Sequence, residues 1–372
     1  MKVETFCEIL HSEYYAGVPD SQLKALCNYL MDRYNNDPTH HIIAANEGNA
    51  TALAAGYYLS TGRIPVVYMQ NSGIGNTVNP VMSLLDEKVY GIPCIFVVGW
   101  RGEPGVHDEP QHIFQGEMTI PLLHDMGMET FVVRDTTSVE ELQETMKKYE
   151  RGLQQGKSVA FVIAKGALSY DKKVLYQNKY QLLREKAIEH IVNAVGGDII
   201  VSTTGKASRE LFEIREQKGM EHGKDFLTVG SMGHSSSIAL EIALQKPDRR
   251  IWCIDGDGAL IMHMGAMAII GNKKPCNMVH IVINNEAHET VGGMPTTMGT
   301  MDLEKIAIGC GYQNYRCAEN EEELKEQLLA CKSERCLTML EIKTAIGARA
   351  DLGRPTTTPR ENGEIFIKQL MN

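Results

Sequence analysis

Gly256-Asp257-Gly258, followed downstream by Asn284-Asn285, offers a carboxylate and an amide oxygen in a setting that suits a divalent cation and a phosphate group. Before the triplet, Ile251-Trp252-Cys253-Ile254 is short and apolar and reads as a buried strand. Ala259 to Ile270 has helical apolar spacing, Asn272-Lys273-Lys274-Pro275 breaks it, and Met278 to Ile283 reads as a second buried strand. This pattern predicts a strand–helix–strand unit with parallel strands. Asp257 and Asn285 then follow two strand carboxyl ends on one sheet edge, where open α/β sheets bind ligands. With the backbone carbonyl of Ala287 they form an all-oxygen cage suited to Mg2+, which keeps its other positions for water and phosphate oxygens. Gly256 and Gly258 let the chain turn sharply and approach a phosphate closely. An Asp-Gly turn and an Asn-Asn loop without a ligand is the plainer reading of either half; the two halves together, in this strand context, favour the cage.

Two further segments carry chemistry-bearing types. Glu47, in Ala45-Asn46-Glu47-Gly48-Asn49-Ala50, opens an alanine-rich helix after a short strand. A helix amino-terminal acid favoured by the macrodipole and a working carboxyl group are both consistent with that place. Thr203-Thr204-Gly205-Lys206 follows a strand at Ile199 to Ser202. It lacks the P-loop spacing, yet its backbone and hydroxyls suit a diphosphate.

The elements that must position these groups alternate along the chain. Strands are expected at Ile42 to Ala45, Ile64 to Met69, Ile92 to Val98, Phe131 to Val133 and Val159 to Ile163. Helices are expected from Gly48 to Ser60, from the Gln70-Asn71-Ser72-Gly73 loop to about Glu87, and from Val139 to Leu153. Lys165 to Tyr180 is polar and aperiodic and marks the domain boundary. A second series follows: strand Ile199 to Ser202, helix Ala207 to Gln217, strand Phe226 to Val229, helix Ser236 to Gln245, the unit above, and a closing strand at Leu337 to Ile342. Two such series imply two α/β domains with mainly parallel sheets flanked by helices. The expected division is 1–165, a linker at 166–190, and 191–372.

With 372 residues, both domains can hold substantial cores. The net charge of −10 argues against a nucleic-acid partner, and an anionic substrate would need a local cationic pocket. The nine cysteines are odd in number and scattered without a CxxC pair, which implies reduced thiols. The first residues carry an early acid and no apolar signal core, and no run approaches the ~18 apolar residues of a membrane span. A cytoplasmic protein without a membrane partner is expected.

The Asp257/Asn285 pattern resembles the diphosphate–metal motif of thiamine diphosphate (ThDP) enzymes. That resemblance implies two ThDP-binding α/β domains, pyrimidine-binding first and diphosphate-binding second, with ThDP and Mg2+ as cofactors. It implies that Glu47 is the catalytic carboxyl group, hydrogen-bonded to the pyrimidine ring from the domain that does not hold the metal. Gly230-Ser231-Met232-Gly233-His234 resembles the segment supporting the bent cofactor, with Met232 as a wedge and the Gly230 carbonyl and Met232 amide holding the pyrimidine. A core methionine is the plain alternative. The remaining cofactor contacts expected are Asn71, Thr204, Gly205, Gly256, Gly258 and Ala259, with Asp257, Asn285 and Ala287 on the metal.

Nearly the whole chain looks like the phosphonopyruvate decarboxylase family. The likeness rests on Asn46-Glu47-Gly48-Asn49-Ala50, Gln70-Asn71-Ser72-Gly73, Gly99-Trp100-Arg101-Gly102-Glu103-Pro104-Gly105, Asp108-Glu109-Pro110-Gln111-His112, Asn284 to Gly293, and Asp351 to Thr357. Where the family often has glycine this chain has Ala287, and only a carbonyl is needed there. The family implies a carbon–carbon lyase that converts 3-phosphonopyruvate to phosphonoacetaldehyde and CO2, as a homodimer or homotetramer with sites at subunit interfaces. Candidates for gripping the substrate are Asn71, Ser72, Arg101, His107, His112, Lys206, His288, Arg349 and Arg354; each cation has a surface or structural reading beside it. His107 and His112, five residues apart in a Pro-rich loop, lack a third ligand for zinc. Sulfopyruvate decarboxylase shares the plan and the Gln-Asn-Ser-Gly loop. A ThDP-dependent carboligase and a catalytically silent ThDP-fold scaffold complete the alternatives.

Overall fold

A computed structural model describes residues 1–35 and 37–371. Residue 372, the expected end of the second domain, lies outside the described residues. The chain divides into two compact units, Met1–Leu175 and Tyr176–Asn372. Helix Arg184–Val195 begins the second series inside the segment expected to be linker.

The first unit carries β1 (Tyr15–Gly17), β2 (His41–Ile43), β3 (Val66–Gln70), β4 (Ile95–Gly99), β5 (Glu129–Val133) and β6 (Val159–Ile163) in the order β2-β1-β3-β4-β6-β5. The second carries β7 (Ile199–Ser202), β8 (Asp225–Leu227), β9 (Ile251–Gly256), β10 (Met278–Asn284), a ribbon of β11 (Ala287–His288) and β12 (Met294–Pro295), then β13 (Asn314–Ala318) and β14 (Thr338–Lys343). Its main sheet runs β8-β7-β9-β10-β14-β13. With the ribbon set aside, the two sheets share one strand order. Every pairing in both main sheets is parallel. The chain reverses its direction of winding between β1 and β3, and again between β7 and β9, which makes those carboxyl ends the ligand crevices of the fold.

The central strands are continuous apolar runs because helices cover both faces of each sheet. All seven residues of β10 are buried. Helix Val139–Gln154 shows how local sequence and packing agree. The Ser138 side chain accepts from the Glu141 amide at 3.1 Å, Glu140 and Glu141 lie in the first turn, and Leu142, Met146, Tyr149 and Leu153 form the buried stripe.

Several elements depart from expectation. The Ala259-to-Ile270 helix is two helices, Asp257–Met262 and Gly265–Lys273. The break turns His263 toward the segment after β8, where its ring meets His234 at 4.3 Å between centroids. His112 lies on helix Pro110–Asp125, not in a loop. Strand β14 does not end the second series. It pairs with β13 at the sheet edge, and helix Pro359–Met371 follows it. Among the described residues no helix is long and apolar enough to cross a membrane. All nine cysteines are free thiols.

Candidate active site

In the first unit the sequence-expected residues gather at the carboxyl edge. Glu47 is the first residue of helix Glu47–Thr61, capped by Asn46, whose side chain accepts from the Asn49 amide at 2.9 Å. Its carboxyl is buried against Gly73, where an added Cβ would come within 2.3 Å of Oε1. The glycine of the Gln-Asn-Ser-Gly loop therefore makes room for the acid. Asn76 Nδ2 donates to Glu47 Oε2 at 2.7 Å. Burial raises the Glu47 pKa, and the Asn76 bond only partly opposes it.

Asn71 is buried and engaged within its own unit. Its Nδ2 donates to the Arg101 carbonyl at 2.7 Å and to Thr119 Oγ1 at 2.9 Å, and its Oδ1 accepts from the Arg101 amide at 3.2 Å. It thus pins the loop after β3 to the loop after β4. Ser72 is exposed and accepts from Gln70 Nε2 at 2.7 Å. Arg101 forms a two-pronged pair with Asp108, with Nε donating to Oδ2 at 2.8 Å. That pairing holds the Asp108 carboxyl down at about 2. Arg101, His107, Asp108 and Lys165 line a cavity of about 200 Å3 with Ser21 and Trp100. His112 keeps Nδ1 buried without a hydrogen-bond partner, and burial lowers its pKa.

In the second unit the cage residues converge. Asp257, Asn285 and Ala287 are all buried. Thr296 Oγ1 donates to Asp257 Oδ2 at 2.8 Å, and the Gly258 amide to Oδ1 at 2.8 Å. The Ala287 amide donates to Asn285 Oδ1 at 3.1 Å and also to the Asp257 carboxyl, so the two side chains meet at one backbone position. Burial pushes the Asp257 carboxyl up to about 6, its neutral donors opposing only part of that rise. A buried acid with only neutral partners is costly to ionise until a positive charge joins it.

The segments expected to face the diphosphate follow β7, β8 and β9. Gly205, at φ +89°, caps helix Lys206–Gln217, which begins just past the carboxyl end of β7. Thr204 Oγ1 is committed to the Val229 carbonyl at 2.7 Å, so this residue offers its backbone. Ala259 is buried in helix Asp257–Met262, which Gly256 caps. After β8, Ser231 holds a left-handed φ of +52° between Gly230 and Met232. An added Cβ on Gly258 would lie 3.3 Å from both the Met232 methyl and the His288 ring. Met232, Gly258 and His288 therefore share one small space. Burial lowers the His288 pKa to about 4, so its imidazole is neutral near pH 7.

The other cations are engaged elsewhere. Lys206 Nζ donates to Glu289 Oε1 at 2.8 Å. Arg349 pairs with Glu185, Glu213 and Asp351. Arg354 is exposed in the segment between β14 and the last helix.

Four contributors were not among the expected site residues. Asn76 orients Glu47 and Thr296 orients Asp257. Glu289 accepts from Asn285 Nδ2 at 2.9 Å, from Arg184 at 2.7 Å and from Lys206, so it fixes which end of the Asn285 amide is the oxygen. Asp20, after β1, is fully buried near Arg101 and pushed up to about 6 by burial. Asp20 and Thr296 follow the same logic as Asp257, polar groups placed just past a strand end, and that placement was the one available signal.

Comparison with known proteins agrees with this geometry. The N-terminal TPP binding domain of thiamine pyrophosphate enzymes matches residues 3–128, and their C-terminal TPP binding domain matches residues 203–342. A phosphonopyruvate decarboxylase from Streptomyces viridochromogenes is 33% identical over 370 residues, covering 94% of this chain and 89% of its own length. A sulfopyruvate decarboxylase from Methanosarcina acetivorans is 26% identical over 357 residues, covering 88% of this chain and 86% of its own. The beta subunit of sulfopyruvate decarboxylase from Methanocaldococcus jannaschii is 37% identical over 155 residues, 41% of this chain and 79% of that subunit. Fold, site and matches together define a ThDP-dependent 2-oxo acid decarboxylase, a carboxy-lyase. Within that class the chain belongs to the phosphonopyruvate decarboxylase family.

Proposed function

We propose that the protein decarboxylates 3-phosphonopyruvate to phosphonoacetaldehyde and CO2, with ThDP and Mg2+. The observation that carries the cofactor half is the buried Asp257 carboxyl, which meets Asn285 Oδ1 at the Ala287 amide and has only neutral donors. The residues fit the group: Asp257, Asn285 and the Ala287 carbonyl would hold Mg2+, and the helix amino terminus at Gly205 would face the diphosphate. When bound, ThDP supplies a thiazolium that accepts the electron pair left as CO2 departs.

The chain's own residues do the rest. Glu47, whose pKa burial raises, keeps its proton to higher pH than an exposed acid and donates a hydrogen bond to the pyrimidine ring. Gly73 fixes where that carboxyl lies. Met232 and neutral His288 wall the space beside Gly258, and a site from which they helped to exclude water would favour a step in which a carboxylate loses its charge. Arg101, His107 and Lys165 line a cavity of the first unit together with Glu103 and the Asp108 that pairs with Arg101, and would offer donors to an anionic tail. A subunit-interface site in a homodimer or homotetramer follows from the family resemblance.

The phosphonate rather than sulfonate tail is supported by the likeness that spans 94% of the chain at 33% identity, against 26% for the single-chain sulfopyruvate enzyme. The deciding experiment measures CO2 release from 3-phosphonopyruvate and sulfopyruvate, each with and without ThDP and Mg2+. The expected result is faster turnover of the phosphonate, dependent on both cofactors and abolished by a chelator. Faster turnover of sulfopyruvate would reassign the substrate, and carbon–carbon bonded products would indicate a carboligase.

A further inference from the structure

Beneath the Asp257 edge, β9 and β10 bury a second set of ligating side chains that decarboxylation leaves unused. Cys253 and Asp255 are two apart on β9 and so project from the same face of the sheet. His280 is the register partner of Cys253 on β10. All three are at most 1% exposed. The sulfur, a carboxylate oxygen and a ring nitrogen lie within 4.8 Å of one another, the only such trio among the described residues.

The polar atoms here lie close together but are incompletely hydrogen-bonded. His280 Nδ1 bonds the Tyr312 hydroxyl at 2.9 Å, which leaves Nε2 as the open nitrogen. Nε2 lies 3.5 Å from Asp255 Oδ2, and neither atom has a hydrogen-bond partner. Ser235 Oγ is buried beside the Cys253 thiol and is its hydrogen-bonding neighbour. Leaving such buried atoms unsatisfied is costly unless something else completes their partners. Two donors bound to zinc at about 2.0–2.1 Å and tetrahedral angles are about 3.4 Å apart. That is close to the separation found, and long for a hydrogen bond. Charge balance points the same way: a thiolate and a carboxylate neutralise a divalent cation, so no net charge is buried. A ring nitrogen fixed by an outer hydroxyl is the usual support of a ligating histidine. Sulfur and imidazole together disfavour Mg2+ and favour zinc.

We propose that Cys253, Asp255 and His280 form a buried structural site for a zinc-type ion, with the Ser235 hydroxyl or a water it holds in the fourth position. The ion enters as the domain folds and ties β9 to β10 two residues before Asp257. Its presence is independent of which oxo acid the enzyme uses.

The test is the metal content of untagged full-length protein, expressed with zinc and purified without chelator, together with the spectrum of protein grown in cobalt. Stoichiometric zinc and a near-ultraviolet thiolate-to-cobalt charge-transfer band are expected, both lost in Cys253→Ala. Asp257→Asn should release magnesium yet keep the zinc, which separates the two sites. Zinc well below stoichiometric with no cobalt band, or zinc retained in Cys253→Ala, would overturn the proposal. If Cys253→Ala does not fold, the band in cobalt-grown wild-type protein decides the matter by itself.

Discussion

At residue scale, Glu47 owes its properties to two neighbours that differ in kind. Gly73 supplies room and Asn76 supplies one hydrogen bond, while water supplies almost nothing. A carboxyl so placed holds its proton where an exposed one would not. Glu47→Gln preserves the shape and removes the ionisable group. CO2 release should fall about 10^2–10^4-fold, the usual worth of a positioned acid–base group, while calorimetry shows ThDP binding largely intact. Wild-type turnover in this variant would remove Glu47 from the chemistry. The same burial gives a stability signature in the apoprotein. The folded chain keeps a proton that the unfolded chain releases as pH climbs past the ordinary value of 4.5. Stability from this group is therefore lost as pH rises from 4.5 through the raised folded pKa, and is constant above it. Glutamine has no such loss. Thermal melts should show equal midpoints for the two proteins near pH 4, with Glu47→Gln gaining relative to wild type as pH rises. Midpoints that stay equal, or wild type gaining relative to Glu47→Gln as pH rises, would contradict a raised pKa.

At the scale of elements, the loop after β4 and the helix it meets act as one part. Gly102 packs on the helix so closely that an added Cβ would lie 1.9 Å from the His112 carbonyl, and Trp100 Nε1 donates to the Gly116 carbonyl at 2.9 Å. Asp108 clamps Arg101 and also accepts from the Gly102 amide at 2.9 Å. Asp108→Asn should free the guanidinium and loosen the loop. We expect KM for the oxo acid to rise about tenfold with a smaller change in kcat, as positioning is lost and the reacting groups stay. A pure kcat effect with unchanged KM would place Arg101 outside substrate binding. The helix itself was illegible in the sequence because Pro110 and Pro121 read as loop punctuation, yet Pro110 at the first helical position loses no bond that the helix would have made, and Pro121 is carried inside it. Edge strand β13, Asn-Tyr-Arg-Cys-Ala, was hidden for the opposite reason: with one side unpaired it needs no apolar run. The long buried strands β6 and β7 fell where their β-branched runs placed them. That Asp257 and Asn285 would meet at one sheet edge was readable because both residues follow strands of that kind. Their supports, Thr296 and Glu289, reach them through tertiary contacts that no spacing rule records.

At the scale of the molecule, the two sheets repeat one winding, β2-β1-β3-β4-β6-β5 and β8-β7-β9-β10-β14-β13. Corresponding edges carry unlike equipment: an acid with a buried raised pKa after β2, and the Met232 segment after β8; the Gln-Asn-Ser-Gly loop after β3, and the Asp257 triplet after β9. A shared frame with divided labour gives neither unit all the groups that the proposed reaction needs. Subunit exchange tests whether completion occurs between chains. Glu47→Gln and Asp257→Asn proteins should each be nearly inactive. In a hybrid dimer with sites formed across the interface, one site combines both defects and the other has neither. Random mixing makes half of the dimers hybrid, so co-expression should restore about a quarter of wild-type activity. If each chain completes its own site, every chain in the mixture carries one defect and no activity returns. Size-exclusion chromatography with light scattering fixes the assembly in which the exchange is scored, and restored turnover in that species would assign the site to the pair.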